Sequence, residues 1–135
     1  AAILRIKLDL LDSYNDTRRK AAVYYSAGLA HCDQIITPTT SNFTTHVFHQ
    51  YTLQIIGADR NALHEYLNAN NIPNAIYYPV PLHNQKAYVD ARYNENDFKV
   101  TNQLTRSVIS LPMHTELDAA QQDHIIDSIL NFLNT

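Results

Sequence analysis

Three short apolar runs, each bounded by turn residues and separated by stretches of helical period, limit what this chain can fold into. In the first, residues 46–56, Val47, His49, Tyr51, Leu53 and Ile55 fall on one face, and His46, Gln50, Thr52 and Gln54 mostly on the other. That alternation predicts a half-buried strand broken by Gly57. The second run is Ile76-Tyr77-Tyr78, ahead of Pro79 and Pro81; the third is Val108-Ile109-Ser110-Leu111, stopped by Pro112. Strands this short cannot stand alone. The economical packing is an α+β fold, a small antiparallel three-stranded sheet with helices on one face. Its expected shared core is Val47, Tyr51, Leu53, Ile76, Ile109, Ile126 and Leu130.

The intervening stretches supply the helices. Leu4, Leu8, Leu11, Ala22, Tyr25 and Leu29 recur at spacings that suit one helical face, so residues 1–30 are expected as one long helix ending at Gly28 and the turn-rich residues after Cys32. Asp59 is placed to cap a helix over 60–70, and Asn70-Asn71 to end it in a left-handed stop before Pro73. Residues 96–106 read as a weakly amphipathic helix. The last helix, about 117–134, turns Ile125, Ile126, Ile129, Leu130 and Leu133 inward under a cap from Asp118 or Thr115. At 135 residues the chain suits a single domain: a linking helix over 1–30 and an α+β body over 31–135.

Composition narrows the function classes. A net charge of −3 offers no basic surplus for nucleic acid. No apolar run approaches the ~20 residues of a membrane span. The lone Cys32 has no disulfide partner within the chain, which suits the cytoplasm. With only Gly28 and Gly57 present, there is neither a dinucleotide fingerprint nor a P-loop. The chain opens inside an apolar helical pattern without an initiator methionine, as part of a longer polypeptide would.

His46 and His49 resemble a metal pair, but residues three apart on a strand point to opposite faces. His49 is better read as a hydrogen-bonded side chain at the rim of the core. His31-Cys32-Asp33 lacks a facing base, so Cys32 reads as structural. Tyr25, Tyr51 and Tyr66 fall on the apolar phase. The segment Tyr77-Tyr78-Pro79-Val80-Pro81-Leu82-His83-Asn84-Gln85-Lys86-Ala87-Tyr88 is different: two prolines stiffen a loop carrying a histidine, an amide, a lysine and tyrosines. A rigid loop of this kind can hold polar groups at a site, although an ordinary surface loop has the same chemistry.

That segment resembles the YP-x-PLH-x-Q-x-AY signature of the DegT/StrS-type aminotransferases, fold-type-I pyridoxal phosphate enzymes that aminate nucleotide-linked keto sugars. Three further stretches match in order: Ala1 to Leu8 with Leu11-Asp12 and Asn15-x-x-Arg18 resembles the family's domain-linking helix, His46 to Tyr51 its HV-[YF]-HQY strand, and Ser110 to His114 its SLP-x-H ending. Gln54 stands where arginine is common, and Asn71 where glycine usually closes the helix.

The resemblance implies the C-terminal small domain of such an enzyme, with an N-terminal pyridoxal-phosphate domain as its partner, a nucleotide-sugar substrate, glutamate as the usual amino donor and a homodimer with shared sites. It places the cofactor-binding lysine upstream of Ala1; Lys7, Lys20, Lys86 and Lys99 match none of the cofactor positions. The implied substrate contacts are His83 and Tyr88, with Gln85 and Tyr77 next, and the chain alone is expected to be inactive. Two rivals from other classes are a non-catalytic ligand-binding or regulatory module of the same fold and a pure interaction domain.

Overall fold

The computed structural model describes residues 2–134. Five helices, α1 (Ala2–Leu8), α2 (Leu11–Leu29), α3 (Arg60–Ala69), α4 (Lys99–Ser107) and α5 (Ala119–Leu133), accompany three strands. The strands β1 (Ile35–Ile36), β2 (Tyr51–Ile55) and β3 (Val108–Leu111) form one antiparallel sheet with β2 in the centre. Tyr51 lies opposite Leu111 and Gln54 opposite Val108, while Ile35 pairs with Ile55 on the other side. The α+β class and the three-stranded antiparallel sheet are as the sequence predicts.

Alternation along β2 sends Tyr51, Leu53 and Ile55 into a core completed by Tyr25 and Leu29 of α2, Leu63 and Leu67 of α3, and Ile125, Ile126 and Ile129 of α5. Tyr25, Leu53, Leu63 and Ile129 are fully buried. Helix α2 approaches α5 at Gly28, where an added Cβ would stand 2.6 Å from Ile126 Cδ1. Gly28 is therefore a contact point inside the helix rather than the stop expected of it. The expected caps form: Asp59 accepts from the Asn61 and Ala62 amides, and Asp118 forms a capping box with Gln121. Asn71 takes φ +57°, and Ile72 N–H donates to Leu67 C=O at 2.9 Å, a Schellman ending without glycine.

Four local expectations fail. Residues 2–29 are two helices, not one, with a turn at Asp9-Leu10. Asp is a weak helix former, and α1 buries no residue that would hold it in line with α2. The first predicted strand begins only at Tyr51. Phe48 takes φ +46° and its N–H donates to His46 Nδ1 at 2.9 Å, a turn that buries Phe48 and leaves Val47 and His49 exposed. Residues 76–78 do not form a strand: Ala75 alone bridges Ser110, and the chain then leaves the sheet toward Pro79 and Pro81, which have no N–H to donate. The place in the sheet expected for residues 76–78 is taken instead by Ile35–Ile36, too short to carry a period.

Helix α4 is tied from outside. Arg60, 7% exposed, donates from Nη1 to Val108 C=O at 2.6 Å and from Nη2 to Thr105 C=O at 2.9 Å. These carbonyls close the last turn of α4 and the entry to β3, where a cation complements the helix dipole. So anchored, α4 borders the face of the sheet that carries Thr52 and Val108.

Candidate functional site

After Pro81 the chain makes two consecutive 3-10 turns, Leu82–Asn84 and Lys86–Tyr88. Gln85 N–H donates to Leu82 C=O at 3.1 Å, and Tyr88 N–H to Gln85 C=O at 2.8 Å. The turns divide the four predicted contact residues into two neighbouring hollows. His83 and Tyr88 line one of about 390 Å³, with Asp90, Tyr93, Phe98 and Thr101. Tyr77 and Gln85 line the other, of about 590 Å³, with Thr52, Thr105 and Val108. Leu82 and Thr101 belong to both, so Leu82 forms the partition.

The first hollow is the more organised. The His83 ring stacks on Phe98 with centroids 4.3 Å apart and planes 20° apart, and Tyr93 meets Phe98 at 6.0 Å. Phe98 is placed by a 3-10 turn, Glu95–Phe98, closed by a reciprocal box between Asn94 and Asp97. His83 Nε2 is buried and has no hydrogen-bond partner among the described residues, while Tyr88 is 59% exposed. An orphaned ring nitrogen beside a concave aromatic wall is a polar group awaiting a partner. Arg92 grips the Asp90 carboxylate through Nε and Nη2, and this holds Asp90 below its ordinary carboxylate range. Among the described residues lining this hollow, Asp90 is the one carboxylate. It favours hydroxyl or N–H donors over phosphate oxygens.

Phe98, Tyr93 and Asp90 were not foreseen as site residues. Their signal in sequence is faint: two aromatic rings inside an otherwise polar run, with no period to say which way they face.

The lysines of this chain stand apart from both hollows of the loop. Lys7, Lys20, Lys86 and Lys99 are all exposed, and none lines either hollow of the loop. A lysine tuned for covalent work is normally desolvated or held beside another cation. Among the described residues, no group of three or more His, Cys, Asp and Glu side chains could hold a metal ion.

The chain is thus an α+β domain that presents a proline-braced loop carrying aromatic and polar side chains. A profile of the DegT/DnrJ/EryC1/StrS aminotransferase family matches residues 1–130, and the chain belongs to that family. It is 34% identical over 134 residues to the pleiotropic regulatory protein of Geobacillus stearothermophilus, covering 98% of this chain and 36% of that protein. It is also 34% identical over 131 residues to dTDP-3-amino-3,6-dideoxy-alpha-D-galactopyranose transaminase of Aneurinibacillus thermoaerophilus, covering 96% and 34%. The fold superposes on S. venezuelae DesV, solved with a ketimine intermediate, at a TM-score of 0.92 and 33% identity, covering 99% of this chain and 36% of that one. The chain thus spans about a third of the length of these relatives. No described helix is long and apolar enough to cross a membrane.

Proposed function

We propose that this chain is the substrate-facing small domain of a pyridoxal-phosphate-dependent transaminase acting on a nucleotide-linked keto sugar. The catalytic lysine and the cofactor anchors belong to an N-terminal domain of the same polypeptide, in a cytoplasmic homodimer. The single observation that carries the reading is the loop after Pro81, which sets His83, Tyr88, Tyr93 and Phe98 around one hollow and leaves His83 Nε2 without a partner. When bound, the cofactor supplies the electron sink for amino transfer. The residues of this chain bind and orient the sugar nucleotide. His83 accepts from or donates to a substrate hydroxyl, the Phe98 stack fixes its ring plane, and Tyr88 adds a ring face and a hydroxyl. Tyr77 and Gln85 contact a second part of the same ligand across Leu82. Asp90 accepts from hydroxyl donors, which directs the pyrophosphate away from this hollow.

Full-length protein incubated with glutamate and a nucleotide-linked keto sugar tests the reading. It should release 2-oxoglutarate and the amino sugar in equal amounts. A second reading, a regulatory module that binds the sugar nucleotide without turnover, is favoured by the name of the Geobacillus stearothermophilus relative. Saturable binding with no 2-oxoglutarate would establish that reading instead.

A further inference from the structure

On the side of α4 away from the candidate site lies a third hollow of about 570 Å³, between Ile56 and Gly57, just past the end of β2, and the α4 residues Lys99, Asn102, Gln103 and Arg106. Its wall holds an anomaly. Asn102 is only 8% exposed, yet a helical side chain buried that deeply is ordinarily apolar. Its Nδ2 donates to Glu95 C=O at 2.8 Å. A carbonyl only accepts, so the amide cannot be reversed, and Oδ1 must be the end that faces away from Glu95. That oxygen is buried and has no donor among the described residues. Buried acceptors are nearly always satisfied, so this one is open to a donor, either an ordered water or the hydroxyl or N–H of a bound molecule.

The charges nearby set the second requirement. Lys99 precedes Asn102 by three residues and Arg106 follows it by four, which places all three on one helical face. At a rise of 1.5 Å per residue the two cations start about 10 Å apart along the axis, within reach of one small ligand for side chains this long. Neither makes an ion pair among the described residues. Arg106 Nε donates to Asn102 C=O at 3.1 Å, which fixes the inner edge of the guanidinium and leaves its outer edge for a ligand. Among the described residues lining the hollow, Glu95 is the one acid against Lys99 and Arg106, a surplus of one positive charge. Gly57 stands at φ +71° with nothing within 4 Å of where a Cβ would be, so this side of the hollow is open.

We propose that this hollow binds a small hydroxylated phosphomonoester, at a site separate from the loop around His83. The phosphoryl oxygens meet Lys99 and the outer edge of Arg106, for which a planar fork and a dianion are matched. A neighbouring hydroxyl donates to Asn102 Oδ1, and Gln103 borders the remainder. The pairing of an anion with an adjacent donor distinguishes this site from a patch of surface cations, which would take any phosphate equally.

The test is a titration of the full chain by two-dimensional amide NMR with glucose 1-phosphate, inorganic phosphate and glucose. Glucose 1-phosphate should shift the Gly57, Asn102 and Gln103 amides saturably, with at least about tenfold tighter binding than inorganic phosphate, the equivalent of one hydrogen bond. Glucose alone should shift none of them. Lys99→Gln with Arg106→Gln should weaken both phosphates. Asn102→Leu should erase the difference between them while circular dichroism stays unchanged. Should Asn102→Leu fail to fold, the ratio of the two affinities in the unaltered chain decides alone. Equal affinity for both phosphates, or no saturable shift with any compound, overturns the proposal.

Discussion

Replacing Arg60 with methionine removes the guanidinium that ties α3 to the end of α4. The two hydrogen bonds that reach the end of α4, to Val108 C=O at 2.6 Å and Thr105 C=O at 2.9 Å, are lost, together with a local one to Asn61 Oδ1 at 2.9 Å. Such bonds contribute about 1.5–3 kcal/mol each. Two effects reduce the sum. Methionine refills much of the space of the arginine stem, and it is spared the desolvation of a buried cation. That desolvation is visible in the lowering of Arg60 below the ordinary arginine pKa by burial. The net cost is therefore about 2–4 kcal/mol, and Arg60→Lys, one point charge facing two carbonyls, should cost about half of that. Urea unfolding gives the total, and native-state hydrogen exchange locates it: amides in the last turn of α4 and in β3 should lose protection first. A cost below about 0.5 kcal/mol, or unchanged exchange in α4, would refute the idea that this arginine anchors the helix bordering both hollows of the loop.

Leu53→Ala and Ile129→Ala, at fully buried positions, should each cost about 2–5 kcal/mol by thermal or urea unfolding. Alkaline pH should destabilise the fold. Burial raises Tyr25 and Tyr51, so above about pH 10 the native state holds protons that the unfolded state releases, and stability falls by up to about 1.4 kcal/mol per pH unit for each. Tyr51→Phe should flatten that slope in a pH series of unfolding curves. The chain should self-associate through α1, whose Ile3, Leu4 and Leu8 are 75%, 71% and 64% exposed. Light scattering should show the associated species disappear with Leu4→Lys and Leu8→Lys.

Strong local patterns carried most of the fold. The caps at Asp59 and Asp118 and the stop at Asn71 act within a few residues of themselves, so spacing alone exposes them. The β3 run and the inward face of α5 are equally local. Failures came where distant contacts decide. Val47 and Phe48 exchanged places because a turn held by His46 shifts the phase by one residue. Ile35–Ile36 becomes a strand only because β2 is there to pair with it. Arg60 gives no sign in sequence that it reaches residues 105 and 108. In the candidate site, the proline-braced segment was legible from its composition. Its division by Leu82 was not, nor was the arrival of Phe98 beneath His83, which depends on how the 3-10 turn before α4 closes.

We propose that the loop after Pro81 recognises the sugar nucleotide and leaves the cofactor alone. The most direct test is to measure the two half-reactions of the full-length protein separately, for His83→Ala and Tyr88→Phe. Losing the His83 hydrogen bond and its stacked ring should cost about 1.4–2.8 kcal/mol, a roughly ten- to hundredfold drop in kcat/KM for the sugar-nucleotide half-reaction. Tyr88→Phe keeps the ring and should cost about tenfold or less. Cofactor occupancy and the amino-donor half-reaction should be nearly unchanged in both variants. Equal losses in the two half-reactions, or release of cofactor from the His83 variant, would contradict the account and make the loop a support for the cofactor.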